Sequence, residues 1–120
     1  MVSDIESFLG QLGYEIGTKG STYFSILLEE VICLMTEGKK GKEIRQELRE
    51  ITKDYCYKYF KTTRSDYYDE MKKFIKNKHN PKQQKVTAET VDTSLIILAR
   101  KYLKNQEKEK GTQKVYRKKS

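Results

Sequence analysis

The sequence predicts an all-α fold: a small helical domain of about five to six helices containing a helix-turn-helix. Three observations predict it. Apolar residues recur at three- and four-residue spacing along most of the chain. Hydroxyl residues stand just ahead of several of those stripes, where helix N-caps belong. The length, 120 residues, suits a single core.

Ser3-Asp4-Ile5-Glu6 has capping-box spacing, and Ile5, Phe8, Leu9 and Leu12 form the face of a first helix that Gly13 ends. Gly17-Thr18-Lys19-Gly20 is a turn. A second helix runs from Ser21 to about Thr36 on Phe24, Leu27, Leu28, Val31, Ile32 and Met35. As the most apolar element it belongs at the centre of the core. Glu37 to Lys42 is a loop. A third stripe uses Ile44, Leu48, Ile51, Tyr55, Tyr59 and Phe60, although Tyr55, Tyr57 and Tyr59 also alternate as a half-buried strand would. Helix is preferred, as one piece or two, because the stripe covers about four turns without a turn signal.

Thr63-Arg64-Ser65-Asp66 caps a fourth helix reaching about Asn77, with Tyr67 or Tyr68, Met71, Phe74 and Ile75 as its apolar face. His79 to Lys85 holds the only proline and reads as a connector. Thr87 caps the last helix, with Val86 placed to staple onto Val91. Val91, Leu95, Leu98 and Tyr102 form its stripe, widened by Ile96, Ile97 and Leu103. That surface either closes the core or meets a partner helix, a second copy included. Residues 1–105 form the domain, and the basic tail 106–120 is expected to be disordered.

The net charge of +8 is unevenly spread: residues 1–60 carry 8 basic and 10 acidic side chains, residues 61–120 carry 17 and 7. Met71 to Lys85 contains six lysines and no acid. This favours a polyanionic partner, nucleic acid ahead of a membrane surface. No apolar run approaches the ~18–20 residues that cross a bilayer, and the N-terminus has no secretory pattern, so a cytoplasmic protein without a membrane partner is expected. Cys33 and Cys56 fit no metal spacing and read as free thiols packed as small apolar residues, while His79 reads as a solvated loop residue. No metal and no cofactor is expected. Neither is a catalytic residue. Gly38-Lys39-Lys40-Gly41-Lys42-Glu43 lacks the glycine spacing of a phosphate loop, and no histidine is set as a base.

What remains is a helix, a turn at Phe60-Lys61-Thr62, and a capped helix leading into lysines: a helix-turn-helix around 44–77, binding double-stranded DNA. Thr63, Arg64 and Ser65 at the helix start would bond phosphate. Tyr67 and Tyr68 would face DNA beside them, and Lys72, Lys73 and Lys76 would add attraction to the backbone.

Several short stretches carry a resemblance. Leu12-Gly13 is followed by Lys19-Gly20-Ser21-Thr22-Tyr23-Phe24, then Phe60-Lys61-Thr62-Thr63-Arg64-Ser65, then Lys85-Val86-Thr87 with Leu95-Ile96-Ile97-Leu98-Ala99. Over roughly Ile5 to Leu103 this resembles the C-terminal effector domain of the sporulation-initiation response regulator, the stage zero sporulation protein A family. The resemblance implies an all-α DNA-binding transcription regulator in spore-forming bacteria, with Ser65–Ile75 as recognition helix. This chain is expected to stand alone, without the family's receiver domain.

The sequence also departs from that pattern. Asp66 and Asp69 fall where the family has base-reading arginines, Tyr68 where it has glutamate, and Tyr57 where it has a small alanine near the end of the preceding helix. An Arg–guanine contact is worth about 1–3 kcal/mol of discrimination, and Asp cannot donate to guanine O6 or N7. Altered operator specificity follows. The alternative is a module that keeps the fold but binds protein, such as RNA polymerase or another sporulation regulator, through the acidic helix start or the apolar last helix.

Overall fold

In the computed structural model every element is helical: α1 (Val2–Gln11), α2 (Lys19–Thr36), α3 (Gly41–Asp54) continuing into a π-helical turn (Tyr55–Tyr59), α4 (Arg64–Lys78) and α5 (Ala88–Lys119). The structure describes residues 2–78 and 85–119, with side chains over 4–76 and 85–107. The connector residues His79, Pro81 and Lys82 lie outside the described residues. Among those described there is no strand, and no helix is long and apolar enough to cross a membrane.

Helix α2 is the hub. Phe24, Leu27, Leu28 and Val31 are fully buried, and α1, α3, α4 and α5 all pack against it. Its start is set by reciprocal bonds: the Ser21 amide donates to Thr18 Oγ1 and the Thr18 amide donates to Ser21 Oγ, each 3.0 Å. This capping box begins the helix two residues earlier than the apolar stripe alone indicates. Close behind it, Gly20 lies against α4 so tightly that an added Cβ would overlap the Glu70 carbonyl oxygen and sit 2.9 Å from Phe74 Cβ. Only glycine permits that approach.

Around the hub, Ile5, Phe8 and Leu9 of α1, Ile44 and Leu48 of α3, Met71, Phe74 and Ile75 of α4, and Val91, Leu95, Leu98 and Ala99 of α5 complete one core. The last-helix stripe is therefore covered within this chain, and Ile97, 55% exposed, is the large apolar residue it leaves outside. Thr87 caps α5 as expected, its Oγ1 accepting from the Thr90 amide at 3.2 Å.

Three expectations change. Ser3 lies inside α1 and not at its cap, because the helix already includes Val2. Gly41 opens α3 instead of lying in a loop, with Lys40 as N-cap and its amide bonded to Glu43 Oε1 at 2.9 Å. Cys33 is exposed, whereas Cys56 is buried.

Candidate nucleic-acid interface

The turn between α3 and α4 is built from inside outward. The Phe60 amide donates to the Tyr55 carbonyl at 2.9 Å, and the Thr62 amide donates to the carbonyl of buried Cys56 at 2.8 Å. Closing the chain this tightly puts Lys61 at φ 48°, the left-handed region that glycine normally occupies. Thr63 Oγ1 then accepts from the Asp66 amide at 3.0 Å, capping α4 as its spacing predicts. Thr63, Arg64, Ser65 and Asp66 all stand exposed at the helix start.

Tyr67 and Tyr68 do not face outward with them. Tyr67 is fully buried and Tyr68 is 3% exposed. The Tyr67 ring stacks on Tyr23 with centroids 4.3 Å apart, and its hydroxyl reaches the Tyr23 carbonyl at 3.4 Å. Both tyrosines are needed because α4 faces α2 and α5 at once, so its apolar sector is wide enough for adjacent residues. Burial drives both phenol pKa values well above the ordinary range. As core residues they are withdrawn from any surface contact.

The lysines expected to attract phosphate are exposed or half-buried on the outer side of α4, but they have company. Lys72 lies 3.5 Å from Asp69 and Lys73 3.4 Å from Glu70, each an i,i+3 pair. Lys76 is exposed. Between α4 and the start of α2 runs a shallow groove lined by Lys19, Tyr23, Thr62, Asp66, Asp69 and Glu70. This outer face is mixed in charge.

No family model, curated protein or solved structure matches this chain.

Arg64 joins the turn to its neighbours. Its guanidinium carbon lies 4.9 Å from the Tyr68 ring centroid and its Nε 3.5 Å from Thr52 Oγ1 on α3. Beneath it the Tyr68 hydroxyl donates to Asp92 Oδ1 of α5 at 2.8 Å. Burial raises the Asp92 carboxyl above the usual range, while that hydrogen bond and Arg45, Arg64 and Arg49 pull the other way. Arg45 Nη2 donates to Thr93 Oγ1 at 2.9 Å.

These arginines reveal a feature the residue order hides. Charges on α3 alternate in sequence and sum to nothing, yet at 3.6 residues per turn they segregate. Ile44, Leu48 and Thr52 face the core. Lys42, Arg45, Arg49 and Lys53 share a second sector, and Glu43, Glu47, Glu50 and Asp54 a third, each about a third of a turn away. Plotting charge sign on a helical wheel finds this; counting net charge along the chain does not. Tyr57, four positions past Lys53 on the π-helical turn, is 62% exposed.

Proposed function

We propose that this chain is a DNA-binding transcription regulator of the sporulation effector-domain type, with altered operator specificity. Helix α3, its turn and α4 serve as the helix-turn-helix. The observation that carries this reading is the exposed start of α4, where Thr63, Arg64 and Ser65 stand together at the first turn and Thr63 Oγ1 holds the Asp66 amide. A helix start of this kind suits a phosphate oxygen, and the basic excess of the chain favours a polyanion. Asp66 and Asp69 stand on the same exposed tip and oppose the guanine contacts that arginines there would make.

The test is duplex affinity across salt concentrations. Binding falls with added salt on a log–log plot with a slope of about −0.9 per phosphate neutralised. Asp66→Arg with Asp69→Arg strengthens duplex binding about tenfold or more by removing repulsion and adding donors. A flat plot for the unaltered protein, or no gain from the double variant, defeats the reading.

A second reading keeps the fold as a protein-interaction module. Exposed Ile97 favours it, lying on the outer side of α5 near Arg100 and Lys101. Capture of a protein partner that Ile97→Asp abolishes, together with no duplex binding, would support that reading instead.

A further inference from the structure

We propose that the cationic sector of α3 is the main docking surface for the sugar-phosphate backbone of double-stranded DNA, with the outer face of α4 contributing little of the ionic attraction. The proposal rests on the DNA-binding reading above and relocates its electrostatic contact.

Neutralisation separates the two helices. Lys72 and Lys73 on α4 are each already matched to an acid one turn away. Among the described residues, no acid lies within 4.0 Å of Lys42, Arg45, Arg49 or Lys53. A lysine paired with its own Asp releases little when it meets a phosphate, because the gain is offset by breaking the pair. A cation with no acid this close displaces the condensed counterion of the phosphate at smaller loss, Arg45 and Arg49 acting on the half-buried Asp92 carboxyl, which they lower.

Shape and length agree with charge. Lys42, Arg45, Gln46, Arg49 and Glu50 line a shallow groove, three cations against one acid. Arginine's planar fork can bond two phosphate oxygens at once, and the Gln46 amide adds a neutral donor. From Lys42 to Lys53 the helix rises about 16 Å, roughly the axial span of five phosphates on one strand. Arg45 is braced by Thr93, and Arg64 lies past Thr52 where the sector meets the turn. Tyr57, four positions past Lys53, is exposed beside it.

The experiment compares salt dependence of binding to a labelled duplex for three proteins: unaltered, Lys42→Gln/Arg49→Gln/Lys53→Gln, and Lys72→Gln/Lys73→Gln/Lys76→Gln. Glutamine keeps helix propensity close to that of the residues replaced, and a circular-dichroism melt verifies folding. The α3 triple variant is expected to reduce the slope by about 2–3 and weaken binding at least tenfold, the α4 triple by less than about one slope unit. If the α3 triple melts early, single Arg49→Gln reads the same effect as about 0.9 in slope. Duplex binding with an α3 slope unchanged overturns this proposal and leaves the DNA-binding reading standing. A flat plot for the unaltered protein overturns both. Loss from the α3 triple on anionic lipid vesicles, without duplex binding, assigns the surface to a membrane and overturns the proposal.

Discussion

The hydroxyl of Tyr68 and the carboxylate of Asp92, 2.8 Å apart, fasten the start of α4 to α5. Asp92 is half-buried, and losing its donor would leave that charge under-solvated. Tyr68→Phe should therefore cost about 1–3 kcal/mol in urea unfolding. The bond also lowers a carboxyl that burial raises, so the same variant pushes Asp92 higher still. Because the folded value lies above the unfolded one, the chain holds this proton longer when folded. The stability it contributes is present in acid and is lost as pH rises through the raised folded value. Urea midpoints across that window should slope downward with pH, steepen or extend in Tyr68→Phe, and flatten in Asp92→Asn. A flat profile in the unaltered chain would refute the linkage.

Gly20 supplies a test of how α4 is held. An added Cβ meets the backbone carbonyl of Glu70, which cannot swing aside as a side chain could. Gly20→Ala should destabilise by about 3 kcal/mol even though alanine favours helix. Gly38→Ala, where nothing lies within 4 Å but φ is +91°, should cost only about 1 kcal/mol. Thermal melts of the two variants give the comparison, and equal losses would refute the close-packing account.

Lys61 occupies the left-handed region at φ 48° between two bonded amides. Strain there costs a non-glycine residue about 1–2 kcal/mol. Lys61→Gly should stabilise by about 0.5–1 kcal/mol after the entropy of the unfolded chain is allowed for, while β-branched Lys61→Ile should destabilise by a comparable amount. Denaturant midpoints in the opposite order would show that the turn carries no strain.

Much of the helical layout was legible in the residues. The stripes of α2 and α5 and the caps at Thr63 and Thr87 follow from spacing and local hydrogen bonding, which involve neighbours in sequence. The period-two tyrosines resolve into a π-helical turn, with Cys56 inward and Tyr57 and Tyr59 outward, 62% and 68% exposed. That geometry depends on closure through Phe60 and Thr62, which no residue pattern announces. Spacing puts one of Tyr67 and Tyr68 on the apolar face and leaves both open to a DNA role, because tyrosine suits both a core and a DNA face. Only packing against α2 and α5 decides between them. The cationic sector of α3 was hidden because acids and bases adjacent in the chain part company only once wound on a helix.

That winding gives α3 a charge separation across its axis, positive on one flank and negative on the next. Near a polyanion such a body feels a torque before it feels contact: one flank is drawn in as the other is pushed away. For the proposed duplex partner, rotational sorting of this kind would bring the molecule in already turned to the correct side. Wrong-facing encounters with such a duplex would be rejected in solution, and fewer collisions lost to the orientational search that slows macromolecular association.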